Sequence, residues 1–153
     1  IGTPAMSQLL HLANADDMDR VAHMVAAYHA HEGFETTEET RRDALGPLLD
    51  GSPHGAIWLI GPKMSPVGYI AVSFGWSIEL GGLDGIIDEL WIREAVRGRG
   101  MGTEALAVLQ KTLREAGLRA LSLEVADGNA RAEAIYARAG FKRRGFHLMT
   151  WTA

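Results

Sequence analysis

The sequence predicts one mixed α/β domain, α+β-like rather than regularly alternating, with elements in the order β-α-α-β-β-β-α-β-α-β-β. Three observations carry this. Short apolar or alternating runs lie between Gly- and Pro-bearing turns. Longer stretches repeat apolar residues at helical spacing. One strand runs through a glycine-rich turn directly into a helix. The 153 residues suffice for a single core, and no repeat, low-complexity tract or long linker divides them.

Gln8 to Ala13 is an apolar run suited to a first strand. Asn14 with Ala15-Asp16-Asp17 forms an N-cap with acids in the first turn, and Met18, Val21, Ala22, Val25 and Tyr28 extend a helix over 15–30. His29, His31, Glu32, Gly33 and Phe34 form its polar-aromatic exit. Thr37 with Glu38-Glu39 opens a second helix, running to about Asp50-Gly51 and expected to be disturbed at Gly46-Pro47. Ala56–Ile60 and Val67–Phe74 read as a hairpin about the turn 61–66. Leu83–Ile92 is a longer strand after Gly81-Gly82. Thr103–Ala116 is a helix with Leu106, Leu109 and Leu113 on one face, ended by Gly117. Leu121–Val125 alternates as a strand, Ala130–Ala139 is a short helix, and Phe141–Trp151 offers a last hairpin about Gly145.

Composition narrows the function classes. Apolar and charged fractions of 47% and 22% belong to an ordinary globular chain. No apolar run approaches the roughly 20 residues of a membrane span. Residues 1–5 lack the pattern of a signal peptide and read as a non-native leader before a natural start at Met6, leaving 6–153 as the domain. With no cysteine, disulfides, thiolate metal sites and a cysteine nucleophile are excluded, and a reducing cytoplasm is the expected compartment. Fifteen basic against 19 acidic residues, net −4, argue against a nucleic-acid partner. Arg93, Arg97 and Arg99, with Lys142, Arg143 and Arg144 further on, fit a small polyanion better than a duplex; solvated surface charge explains the second cluster equally well.

The strongest local signal is Arg97-Gly98-Arg99-Gly100-Met101-Gly102 between a strand and a helix. A helix N-terminus presents unpaired N–H groups and a partial positive charge. Glycines let the backbone approach phosphate closely, two arginines add charge, and Thr103 places a hydroxyl in the first turn. The P-loop lysine followed by Ser or Thr is missing, and no first strand at the chain start precedes the turn as a dinucleotide fingerprint requires.

Asp88-Glu89-Leu90-Trp91-Ile92 followed after four residues by Arg97-x-x-Gly100-x-Gly102 resembles the acetyl-CoA motif of the GNAT superfamily of N-acetyltransferases, Arg/Gln-x-x-Gly-x-Gly/Ala. The segment Asn129 to Phe141 resembles a second motif of that family, one helix and one strand downstream. The resemblance covers the whole chain, its first 80 residues only in outline. It implies a central mixed, mostly antiparallel sheet flanked by helices, and acetyl-CoA as co-substrate. It also implies pantetheine beside Leu90, Trp91 and Ile92 in the manner of an added strand. Pyrophosphate would lie on the amides of Arg97, Gly98, Arg99, Gly100, Met101 and Gly102, with Thr103 nearby. Asn129, Ala132 and Tyr136 are spaced to share one helix face. By the same resemblance Asn129 bonds pantetheine, beside its capping role, and Tyr136 protonates the departing thiolate. Arg131 and Arg138 meet the adenosine 3′-phosphate or are surface charge.

Acetyl transfer needs a neutral amine, and an alkylammonium titrates near pKa ~10, so a base must take its proton. Asp88 and Glu89 stand where the family carries such a carboxylate. Strand alternation points only one of them into the cleft, and a bulge would invert the parity. The expected mechanism is direct transfer, since no cysteine can carry an acetyl intermediate. A backbone N–H of Leu90–Ile92 polarises the carbonyl and Tyr136 is the acid.

By resemblance the acceptor is shaped by the first two helices, their loop and the start of the central strand, which here offer Tyr28, His29, His31, Glu32, Phe34, Trp76, Glu79 and Asp84. Acids and aromatics suit an amine of a small molecule or peptide. A protein- or aminoacyl-tRNA-directed acetyltransferase and a non-catalytic acyl-CoA-binding regulatory module are the alternatives. His29, His31 and Glu32 lack third and fourth partners, so no metal is expected. Phe146, Leu148, Met149 and Trp151 either pack in the core or form a homodimer face.

Overall fold

A computed structural model describes residues 9–153. Residues 1–5 and Gln8 of the expected first strand lie outside that range. The chain forms β1 (Leu10–Leu12), a 3-10 turn at Ala15–Asp17, then helices α1 (Met18–Glu32) and α2 (Glu38–Leu49). Strands β2 (Gly55–Ile60), β3 (Gly68–Ser77) and β4 (Gly82–Ile92) follow, then a second 3-10 turn at Glu94–Val96. Helix α3 (Met101–Glu115), strand β5 (Ala120–Ser122) and helix α4 (Ala130–Arg138) complete the elements. The sheet order is β1-β2-β3-β4-β5, antiparallel throughout except for the parallel β4–β5 pair.

The helices begin where their caps are. Asn14 accepts from the Asp16 amide at 2.9 Å while Asp17 accepts from the Asn14 amide at 2.9 Å, closing a capping box on the 3-10 turn that leads into α1. Thr37 and Thr40 do the same for α2. Helix α1 ends at Gly33, whose φ of 77° suits a residue without Cβ. Helix α2 continues past Gly46-Pro47 to Leu49, because Pro47 lies in its last turn.

The period of β2 and β3 buries alternate residues on the two faces of the sheet. One face sets Ile57, Leu59 and Tyr69 against Val21, Met24 and Val25 of α1 and Leu45 and Leu49 of α2. The other sets Ile60, Ile70, Val72 and Ile87 against Leu106, Leu109 and Leu113 of α3. Each such side chain contributes about 1.5–3 kcal/mol by burial, so the two cores hold the helices rigidly against β3 and β4.

Two expectations need correction at the C-terminal end. Strand β5 has three residues, not the five of Leu121–Val125. Residues 141–151 form no hairpin; the stretch carries no strand. The alternating pattern is present, but the sheet ends on an edge only three residues long, too short to hold a further ladder. Arg143 instead pairs with Glu133 of α4, and Arg144 reaches Glu79 at 2.8 Å. Phe146, Leu148, Met149 and Trp151 are left 71–92% exposed.

Candidate active site

Strand β4 pairs with β3 along its whole length, Gly82 to Ile92. On its other side it pairs with β5 only from Asp84 to Ile86. Beyond Ile86 the two parallel strands part, and the β5-facing edge of residues 87–92 has no ladder partner. A wedge therefore opens beside Leu90, Trp91 and Ile92, where unpaired main-chain groups can receive an extended ligand.

The wedge leads to the glycine-rich turn. Arg97 folds back, its Nε donating to the Ile92 carbonyl at 2.6 Å, so it closes the turn on the strand end. Gly98 and Gly100 have φ of 80° and 77°, a region that strains any residue with a Cβ. Gly100 is the N-cap of α3 and supplies no capping side chain. The first intrahelical bond runs from the Glu104 amide to the Gly100 carbonyl at 3.0 Å, which leaves the amides of Met101, Gly102 and Thr103 before it. Open space surrounds the position a Cβ would take at Gly98 and at Gly100. This fits a phosphate cradle: oriented donors, a helix N-terminus, Arg99 and Thr103 at the surface, and room for an anion.

The bulge that would decide between the two carboxylates is present. Ala71 faces Glu89, but Val72 faces Ile87, so Asp88 is the extra residue of β4. Glu89 thereby joins Tyr69, Ala71 and Trp91 on the α1 face, while Asp88 is exposed. The Glu89 side chain is 17% exposed and held on both oxygens. Tyr69 donates its hydroxyl to Oε1 at 2.8 Å, and His29 Nε2 lies 2.6 Å from Oε2. Burial, then the adjacent Glu89, raise the Tyr69 phenol well above its ordinary value, so it stays a donor. Tyr28 is pushed up to about 12 by burial and then by the carboxylates of Glu32, Glu89 and Asp88.

Helix α4 follows β5 and packs on the α3 side of the sheet. Asn129 caps it, its Oδ1 accepting from the Ala132 amide at 3.2 Å, which leaves the amide NH₂ available to a ligand. Tyr136 packs against the α3-side core and edge-on to Phe141 at 6.0 Å. Burial raises its pKa, so the phenol carries its proton at neutral pH. Arg131 and Arg138 lie on the same helix, and nothing in the geometry distinguishes a ligand role from surface charge.

Of the two basic clusters, the second is spent on ion pairs through Arg143 and Arg144. Trp76, Glu79 and Asp84 sit toward the far end of the β3–β4 hairpin from Glu89, four or more residue pairs along the ladder. Sequence reading placed His29 at the helix exit and among the residues shaping the acceptor side, but not beside Glu89. Its pairing with Glu89 spans 60 residues and leaves no local signal. Among the described residues no group of three or more His, Asp or Glu is arranged to hold a metal ion, and no helix is long and apolar enough to cross a membrane.

Comparison with known proteins agrees with this fold. Residues 18–141 match the sequence model of the acetyltransferase (GNAT) family. The structure is similar to an integron cassette protein from the mobile metagenome of Cole Harbour Salt Marsh, with TM-score 0.83 and 30% identity over 96% of this chain and 91% of that one. It is also similar in fold to an aminoglycoside acetyltransferase from an uncultured soil metagenomic sample, TM-score 0.73 at 15% identity, covering 94% and 97%. A ribosomal-protein-alanine N-acetyltransferase from Brucella melitensis biovar Abortus 2308 has TM-score 0.73 at 14% identity, covering 94% and 99%. No curated protein sequence matches the chain.

Proposed function

The chain belongs to the acetyltransferase (GNAT) family, and on that premise we propose that it moves the acetyl group of acetyl-CoA to a primary amine of a small molecule or peptide in the cytoplasm. The observation that carries this reading is the placement of Glu89: the Asp88 bulge turns it onto the cleft face, beside the β4–β5 wedge that ends at the glycine cradle.

When bound, acetyl-CoA supplies an activated thioester carbonyl. The amides of Met101, Gly102 and Thr103, with Arg99, hold its pyrophosphate, and the free edge at Leu90–Ile92 together with Asn129 orients its arm. Glu89 takes the proton of the acceptor ammonium. The amine nitrogen attacks the carbonyl carbon, a main-chain N–H of Leu90–Ile92 polarises the carbonyl oxygen, the C–N bond forms and the C–S bond breaks. Tyr136 gives its phenolic proton to the departing sulfur and is restored by the second proton lost from the adduct nitrogen as the amide forms, while the proton held by Glu89 passes to solvent. No cysteine exists to take the acetyl group first, so transfer is direct. Tyr28, Phe34 and Glu32 offer aromatic faces and negative charge on the acceptor side, which favours a cationic acceptor. An amine panel assayed for thiol release from acetyl-CoA tests the reading; no release with any amine contradicts it.

We propose further that two copies associate through the C-terminal segment, where Phe146, Leu148, Met149 and Trp151 are exposed together. Sedimentation equilibrium that reads a monomer at all concentrations contradicts this.

A further inference from the structure

Glu89 does not stand alone in the cleft, and a donor reaches each of its carboxylate oxygens. Tyr69 gives its hydroxyl hydrogen to Oε1 at 2.8 Å. His29 Nε2, 2.6 Å from Oε2, must then carry a hydrogen, because it faces a carboxylate. Thr36 Oγ1 lies 2.8 Å from the other ring nitrogen, Nδ1. The Thr36 oxygen in turn accepts from Arg41 Nη1 at 3.1 Å, and the same nitrogen donates to the Thr36 carbonyl at 2.6 Å. A continuous hydrogen-bonded string therefore links the Arg41 cation through Thr36 and His29 to Glu89, with Tyr69 closing the far side.

We infer that the Arg41–Thr36–His29 string is a positioning device that keeps Glu89 an ionised, aimed carboxylate and ties it to the loop between α1 and α2. The inference rests on the reading of Glu89 as the base. His29, Thr36 and Arg41 are positioning residues, not groups that touch the acceptor.

A donor at each carboxylate oxygen and a cation at the end of the string favour one ionised, fixed orientation of Glu89. His29 is also fixed mechanically: its ring packs edge-on to Phe34 at 5.4 Å and beside Tyr28 at 5.9 Å, and its side chain is 13% exposed. His31, the next histidine of α1, faces Glu32 and takes no part.

The test is a carbon-13 NMR titration of the Glu89 carboxyl in protein without acetyl-CoA, for wild type, His29→Ala, His29→Gln, Thr36→Val and Thr36→Ser. His29→Ala and Thr36→Val should raise the Glu89 midpoint by about one pH unit. His29→Gln, which retains an N–H near Nε2, and Thr36→Ser, which retains the hydroxyl, should return it to near the wild-type value. The acid limb of kcat/KM should move with the midpoint in each variant. An unmoved midpoint in both damaging variants overturns the inference. So does a His29→Gln protein as impaired as His29→Ala, since that result makes the ring a proton carrier. Thr36 lies on an exposed loop, so its variants keep the test decisive even if a His29 variant fails to fold. If wild type acetylates no amine, the transfer reading fails, and the titration still decides the string.

Discussion

Replacing Gly100 by alanine or by aspartate separates backbone geometry from charge at the phosphate cradle. Nothing lies within 4 Å of the Cβ position, so neither side chain meets a steric barrier. Both place a Cβ on a backbone with φ of 77°, at a cost of about 1–2 kcal/mol and a fall in melting temperature of roughly 2–8 °C. They differ by one negative charge. A carboxylate about 5 Å from a pyrophosphate repels each of its two charges by about 0.8 kcal/mol in water, and by about twice that where the site is half desolvated. Binding of acetyl-CoA to Gly100→Asp should therefore be weaker than to Gly100→Ala by about 1.7–3 kcal/mol, or roughly 20- to 150-fold. Isothermal titration calorimetry at low salt measures the gap, and the same titration near 1 M salt should shrink it to a few-fold, as the Debye length falls to about 3 Å. Equal affinities for the two variants, or a gap indifferent to salt, would refute the cradle.

Further outcomes follow from the same geometry. Glu89→Gln should lower kcat about 100-fold at neutral pH, with the loss shrinking toward pH 10 as the acceptor amine deprotonates by itself; Asp88→Asn should stay within a few-fold of wild type. Steady-state rates across pH check both. Tyr136→Phe should cut kcat by about 100-fold and leave the acetyl-CoA Kd within about two-fold; because burial raises the phenol, its acid role in wild type should persist to at least its ordinary titration range. Leu109, fully buried between α3 and the sheet, should cost about 2–5 kcal/mol as alanine in a denaturant melt, with acetyl-CoA affinity unchanged in the folded fraction. Phe146→Ser with Trp151→Ser should lower the sedimentation mass of a dimer to that of a monomer.

Period and punctuation reveal much of this fold in the sequence. The alternation of β2 and β3, the leucines of α3 and the caps Asn14 and Thr37 are local signals, and the structure places those elements within two residues of expectation at most ends. The strand–turn–helix about Arg97–Gly102 is legible for the same reason: its chemistry sits in six adjacent residues. The face taken by Glu89 is not. A bulge is a property of two strands in register, and neither Asp88-Glu89 nor Ala71-Val72 announces it alone. His29 is hidden by distance along the chain, since Glu89 and Tyr69 become its neighbours only when α1 packs on the sheet. The stretch after Phe141 misleads in the opposite sense. Its apolar residues alternate as a strand would, but a strand requires an edge to pair with, and β5 provides three residues.

The central claim is that the Glu89 cleft and the glycine cradle together acetylate an amine. Incubation of wild type and Glu89→Gln with acetyl-CoA and a panel of diamines, aminoglycosides, amino acids and short peptides, followed by mass spectrometry of the acceptor, tests it most directly. An acetylated amine formed by wild type and lost about 100-fold in Glu89→Gln at neutral pH, with acetyl-CoA binding intact, is the predicted result. Equal rates for the two proteins, or thiol release with no acetylated amine, would contradict it.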